Sequence, residues 1–430
     1  MISDAKNSPA DIFFMVPSCV PATPSDVGGA VVSAEDLKAY VNHEKVLGLG
    51  EMMNVPGVLF EDPEVSEKLS LFKRIDGHAP GLSGEDLCSY VSRGILSDHE
   101  CTTAEEAEEK LLLGQFIFLR EGDAAKNVEA LTPAVTQATA SRCCFATDDR
   151  HVDSIAEDGS IDNCIRTAVR AGMPLELALR IATLSAADYY CLHDRGIIAP
   201  GRCADFCILD EGETFKVSRV YKNGIAVSKK GTAEAEKIEF PKFVCSIPGE
   251  DEMKLPSGML KVIETIPGEI ITEAGIGQEG DEGVQKIICV DRYRGEGFGV
   301  GLIKGLNIRQ GAIATSVSHD AHNIIAAGAS DAEIISAVKA VSEAGGGMAV
   351  VIGDETTVLS LPAGGLMTFK PYEEVLDEMA VLNEALEKTG ADKKAFMSLS
   401  FMALTVVPHL KITPRGLFDG DSFSDTDIQC

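Results

Sequence analysis

The sequence predicts an α/β protein: an incomplete (β/α)8 barrel of about six of the eight strand-helix units, then a small β layer and a carboxyl-terminal α+β domain. Three observations carry that expectation. Short apolar runs recur through the first 195 residues, each closed by a polar or acidic residue and followed by an amphipathic helical stretch. Their ends lie about 20 to 35 residues apart, near the length of one βαβ repeat. Chemistry-bearing side chains stand at the ends of several different runs, where a parallel barrel gathers its active face.

The runs are Ile12–Val16, Val46–Gly50, Phe72–Gly77, Gly94–Ser97, Phe116–Arg120 and Cys143–Thr147. The groups at their ends are Ser18-Cys19, Glu51, His78, Asp98-His99, Glu121 and Asp148-Asp149. Helix starts fall between them: Ser33 with Asp36, Asp62 with Pro63 and Thr103 with Glu106 each offer an N-cap ahead of an apolar stripe. A whole barrel takes about 250 residues, so the segment 1–195 is a partial metal-dependent barrel, short by roughly two units that are expected before Met1. Residues 196–235 read as a small β-sandwich segment, with runs Phe206–Leu209, Val217–Tyr221 and Ile225–Val227 punctuated by Gly201, Gly212 and Gly224. Residues 236–430 read as an α+β domain. Its expected strands are Leu260–Ile266, Lys286–Asp291, Val300–Ile308 and Met348–Ile352, and its expected helices Asp331–Ala344 and Tyr372–Thr389.

Composition narrows the function. Sixty-seven acidic against 38 basic side chains give a net charge of −29, which repels phosphate backbones and anionic membranes and favours a small neutral substrate over a nucleic-acid polymer. Twelve cysteines without CxxC spacing read as reduced thiols in a cytoplasmic protein, with Cys143-Cys144 as core filler. No apolar run reaches the roughly 18 to 20 residues of a membrane span, and the polar start MISDAKNSPAD shows no targeting pattern.

His78 in IDGHAP and His99 in LSDHEC stand one unit apart at equivalent strand ends. Two neutral imidazoles so placed can converge on one ion, and Glu51 and Asp148 would offset its charge; zinc, iron and manganese all suit that set. Asp148 and Asp149 follow an apolar strand, so one can bind metal while the other, or the same one, takes a proton from an activated water. Glu51, in LGLGEMMN, ends a buried run, a costly place for a carboxylate without an ion or a proton-transfer role. His319-Asp320-Ala321-His322 forms a possible additional site, two histidines on an extended segment able to take a metal or reach an active site; a polar turn is the plainer reading.

The strings PSCVPAT (17–23), GLGEMMNVPGV (48–58), GHAP (77–80), SDHE (97–100), REG (120–122), TDDR (147–150) and APGRCAD (199–205) resemble the bacterial adenine deaminases of the amidohydrolase superfamily. Further on, VSHDAHNI (317–324), LPAGGLM (361–367) and LSFMALTVVPHLKIT (399–413) resemble that family's carboxyl-terminal domain. The resemblance implies hydrolysis of adenine to hypoxanthine and ammonia in purine salvage, by attack of a metal-activated hydroxide on C6, at a binuclear iron or manganese centre, with zinc an alternative. It implies His78, His99 and Asp148 as metal ligands and Asp149 as a neighbour in proton transfer. Glu51 is implied either as a bridging ligand or as the group protonating the purine ring. Arg120 and Glu121 are candidate substrate-binding residues.

The family pattern opens with a β layer and a His-x-His strand that this sequence lacks; His43, in the helical-looking stretch YVNHEKV, is no substitute. Ser160 replaces a usual histidine, and Arg292-Tyr293 a usual arginine-histidine pair. Unpaired strand edges are therefore expected, with self-association or completion by an upstream polypeptide. Two other readings remain: an amidohydrolase acting on another cyclic amidine or amide, and a non-catalytic fragment.

Overall fold

The computed structural model describes residues 1–24, 26–210, 215–228 and 238–430. They form two compact units, Met1–Cys19 with Val32–Glu236, and Val20–Val31 with Lys237–Cys430. Among the described residues no helix is long and apolar enough to cross a membrane.

The first unit holds six short parallel strands: β1 (Phe14–Val16), β2 (Val46–Met52), β3 (Ile75–Gly77), β4 (Ser97–Asp98), β5 (Phe116–Arg120) and β6 (Cys143–Ala146). They make two sheets, β1-β2-β3 and β4-β5-β6, and the Leu96 amide donates to the Ile75 carbonyl (2.9 Å) where the two meet. No ladder joins β1 to β6 among the described residues.

Burial on both faces explains why the later strands read as unbroken apolar runs. Ile117, Leu119, Cys143 and Phe145 face one way, into a cluster with Cys164, Ile165, Ala168, Leu177, Ala178 and Ile181 of the following helices. Phe118 and Cys144 face the other way, against Tyr189. The adjacent cysteines thus serve two separate cores, as the period of two along a strand requires. The three expected helix starts are capped: Ser33 and Asp36 form a reciprocal capping box, Asp62 accepts from Glu64 and Val65 ahead of Pro63, and Thr103 accepts from Glu106. His43 departs from expectation. It lies in a turn after a short 3-10 segment, where its Nδ1 accepts from the Lys45 amide. The small antiparallel sheet is β7 (Phe206–Leu209), β8 (Val217–Lys222) and β9 (Ile225–Ala226); Gly212 and residues 229–235 of the expected β segment lie outside the described residues.

The second unit is built on eight strands, β10 (Leu260–Thr265), β11 (Thr272–Gly277), β12 (Val284–Val290), β13 (Phe298–Lys304), β14 (Ala312–Thr315), β15 (Ile324–Gly328), β16 (Gly347–Ile352) and β17 (Glu355–Ser360). Their order is β11-β10-β13-β12-β15-β14-β16-β17, and only the β10–β13 pair in it is parallel. The helix Asp331–Glu343 starts on Ser330, which accepts from Glu333. It lays Ile334, Ala337, Val338 and Val341 on Ile288, Ala314, Ala326 and Ala349 of the sheet, the i, i+3, i+4, i+7 spacing of one helix face. A second, three-stranded sheet comprises β18 (Leu410–Thr413), β19 (Gly416–Asp419) and β20 (Ser424–Asp425).

Residues 20–31, which sequence reasoning assigned to the barrel segment, cluster with this second unit. Asp26 accepts from the Thr405 hydroxyl and the Thr23 amide, the Val27 carbonyl accepts from Asn323 Nδ2 (2.7 Å), and Gly29 lies close against the Tyr293 ring, where a Cβ would fall 2.8 Å from Cδ1.

Candidate metal centre

The carboxyl ends of β2 to β6 bring together six side chains. Glu51 belongs to β2 itself, its carbonyl accepting from the Ser18 hydroxyl. His78 is the residue after β3, His99 and Glu100 follow β4, Arg120 closes β5, and Asp148 comes two residues after β6. Asp148 sits at φ +57°, a left-handed conformation uncommon for a non-glycine residue and often met at functional sites.

One Glu51 oxygen lies 3.2 Å from His78 Nδ1 and 3.1 Å from His99 Nε2. One Glu100 oxygen lies 3.4 and 3.1 Å from the same two nitrogens, and Asp148 Oδ2 lies 3.5 Å from His99 Nε2. The imidazole rings stand edge to face with centroids 5.5 Å apart. Arg120 closes the cluster: its two terminal nitrogens grip Glu100 at 2.6 and 2.7 Å, and Nη1 also reaches Asp148 Oδ2 at 2.7 Å.

The electrostatics follow from that crowding. Burial disfavours the charged form of His99, but the Glu51 and Glu100 carboxylates outweigh it and raise its pKa well above the usual value. His78 is raised in the same way, burial opposing and Glu100 and Glu51 prevailing. Burial would also favour protonated acids, yet His99 and His78 hold Glu51 well below the carboxylate range. Arg120 and His78 lower Glu100, and His99 and Arg120 bring Asp148 to about 2. Three carboxylates against one guanidinium leave two negative charges unmatched when both imidazoles are neutral.

The donor set fits a divalent ion. Ligand atoms of Glu51, His78 and His99 lie within 4.8 Å of one another, as do those of His99, Glu100 and Asp148. His78 Nε2 is buried without a hydrogen-bond partner, an orphan that a polar ligand would satisfy. A third such group, Asp98, Cys101 and Glu106, already contains a cation, the Lys110 ammonium, 3.0 Å from Asp98 and 2.7 Å from Glu106.

Of the residues singled out from sequence, Glu51, His78, His99, Arg120 and Asp148 converge. Asp149 adjoins through its backbone: its amide donates to Asp148 Oδ1 and its carbonyl accepts from Asp123. Glu121 faces elsewhere. Its pKa is raised by burial against the pull of Lys126, Arg150 and Arg170, and Oε2 is buried without a partner. The His319–His322 stretch lies in the second unit, on a turn between β14 and β15 rather than on an extended segment. There His319 stacks on Phe401 and His319 Nδ1 stands 3.4 Å from Asp320. Burial depresses the His322 pKa to about 4. Arg292 Nε and the Tyr293 hydroxyl hold the turn by donating to the His322 and Ala321 carbonyls. Glu100 was missed. The signal was the acid directly after His99 at a strand end, but four successive polar residues in SDHE do not reveal which of them turn inward.

Residues 1–227 match the amidohydrolase family and residues 265–424 the adenine deaminase C-terminal domain. The fold and the metal-type cluster thus define an amidohydrolase, an α/β protein with a sheet-rich carboxyl-terminal region. The chain is 48% identical over its whole length to the adenine deaminase of Methanoculleus marisnigri, covering 84% of that protein. It is 48% identical to the adenine deaminase of Methanoregula boonei (100% of this chain, 78% of the relative) and 41% identical to that of Desulfatibacillum aliphaticivorans (99% and 79%). The chain belongs to the adenine deaminase family.

Proposed function

We propose that this chain hydrolyses adenine to hypoxanthine and ammonia at the cluster of Glu51, His78, His99, Glu100 and Asp148. The carrying observation is the convergence of two imidazoles and three carboxylates from the ends of β2, β3, β4 and β6 within ligand distance. The enzyme is a hydrolase of C–N bonds in cyclic amidines.

His78, His99, Glu51 and Asp148 would hold a divalent metal, iron or manganese in our reading, with zinc accepted by the same donors. A bound divalent ion supplies Lewis acidity that makes water nucleophilic at neutral pH. Glu51 suits a shared ligand, since one of its oxygens is nearly equidistant from both imidazoles. Asp148, kept ionised beside His99 and Arg120, takes a proton from the attacking water and returns it to the departing ammonia, with Asp149 next to it in the relay. Arg120 fixes the Asp148 carboxylate and the neighbouring Glu100 through charge-assisted hydrogen bonds. The net charge of −29 does not oppose a neutral purine.

The two parallel sheets of the first unit support reading residues 1–195 as part of a (β/α)8 barrel, residues 196–235 as a small β layer and residues 236–430 as the carboxyl-terminal domain. We place the enzyme in the cytoplasm, either as a homo-oligomer or with its barrel completed by an upstream polypeptide. The test is ammonia release by the polypeptide carrying this chain, loaded with Mn²⁺ or Fe²⁺, on adenine, guanine, cytosine and a dihydropyrimidine. Adenine turnover with hypoxanthine as product is expected; turnover of another base in its place, or none, overturns the reading.

A further inference from the structure

We infer that Lys110 is a positioning residue for the metal centre, tying the loop that carries His78 to the turn that carries His99 and Glu100. The inference rests on the metal reading of that cluster. Lys110 lies on the helix Ala104–Leu112 and is fully buried. Its ammonium has three donors and three acceptors: the Ala79 carbonyl at 2.8 Å, Asp98 Oδ2 at 3.0 Å and Glu106 Oε1 at 2.7 Å. Ala79 is the residue after His78, and Asp98 the residue before His99.

Asp98 spreads the tie to both segments. Its Oδ1 accepts from the Ala79 amide (2.8 Å) and its Oδ2 from the Glu100 amide (3.1 Å). Glu106 repeats the pattern, accepting from the Gly81 amide at 3.1 Å and the Thr102 amide at 3.0 Å. Glu109 accepts from the Gly84 amide at 2.9 Å. Glu106, Glu109 and Lys110 share one helix face by their i, i+3, i+4 spacing. One face of one helix, with Asp98, therefore fixes the backbone that follows each imidazole, at Ala79, Gly81 and Gly84 past His78 and at Glu100 and Thr102 past His99.

A buried ion pair is a poor source of stability compared with an apolar replacement of similar volume. Apolar side chains at 98 and 110 could fill the space, but they could not hold the Ala79 amide and carbonyl and the Glu100 amide at once. Ligand rings must be kept within about 0.5 Å for a metal site to bind well, and outer partners of metal ligands commonly set 10- to 100-fold in affinity.

The test compares Mn²⁺ binding, read by the electron paramagnetic resonance of free Mn²⁺, in the wild-type polypeptide and in Lys110→Met, Asp98→Asn/Lys110→Met and Lys286→Met. The last removes a buried ion-pair partner of Asp331 in the second unit and serves as control. Lys110→Met is expected to weaken Mn²⁺ binding about 10- to 100-fold and, without metal, to speed hydrogen exchange at the Ala79, Gly81 and Glu100 amides. The double variant, in which Asp98 loses its charge together with Lys110 and Glu106 keeps the Gly81 and Thr102 amides as donors, is expected to melt nearer the wild-type temperature than Lys110→Met while keeping the weak Mn²⁺ binding, and it decides the matter if Lys110→Met does not fold. Wild-type affinity in the folded double variant, or an equal loss in Lys286→Met, overturns the inference alone. A wild-type protein that binds no Mn²⁺ overturns the metal reading beneath it.

Discussion

Glu100 is the side chain on which the site's charge balance turns. It meets both imidazoles and anchors Arg120 through two parallel bonds, so Glu100→Gln keeps the shape while removing the charge that holds Arg120 in place. We expect the variant to fold, to lose about 10- to 100-fold in Mn²⁺ affinity and to lower kcat on adenine more than it changes KM; steady-state kinetics and metal titration check this, and unchanged values would discount Glu100. His78, His99 and Asp148 were legible because strand ends in a parallel fold point their chemistry one way. Glu100 and the double grip of Arg120 were not, because they depend on how a turn of a few residues is wound. Lys411 illustrates the same gap in the second unit. It sits in β18, fully buried, with its ammonium donating to the Ile270 carbonyl at 3.0 Å, and burial lowers its pKa to about 7. The unfolded chain, with a lysine near 10.4, binds more protons between those values, so this residue makes stability rise with pH from about 7 to about 10.4 and levies its full cost below. Thermal melts at pH 6.5 and 9.5 should show Lys411→Met gaining more at the lower pH; equal gains at both would show that the ammonium is not the cause.

At the scale of elements, the strands that carry the ligands are held by close approach. Gly77, the last residue of β3, has no room for a side chain: a Cβ there would overlap the Ser97 carbonyl and fall 2.8 Å from Ile95 Cγ2. Gly77→Ala should therefore push β3 from β4 and displace His78, with an overpacking cost of about 1–3 kcal/mol visible as a lower melting temperature and weaker Mn²⁺ retention. Wild-type values for both would mean that the strands separate freely. The helix starts at Ser33, Asp62 and Thr103 could be read in advance because a cap is a local bond between residues two or three apart. The strands β14 and β15 could not. Ala-rich stretches such as AIAT and IIAAG have weak strand preference, and they are strands because Ile334, Ala337 and Val338 of a later helix pack on them, a contact no local window contains.

For the whole molecule, composition spoke to the kind of ligand and said little of how the chain divides. An excess of 29 negative charges favours a small neutral substrate over a polyanion and is compatible with a purine. The division of the chain was harder to foresee, since contiguous segments were the natural guess and residues 20–31 join the second unit instead. Through Asp26 with Thr405 and Val27 with Asn323, those twelve residues take part in that unit's own bonding. The carboxyl-terminal unit is thus not encoded as one uninterrupted stretch. Anyone exchanging it between relatives, or cutting the gene near codon 237, would have to carry the short upstream piece along, or strand an aspartate and a carbonyl whose partners had been removed with the rest.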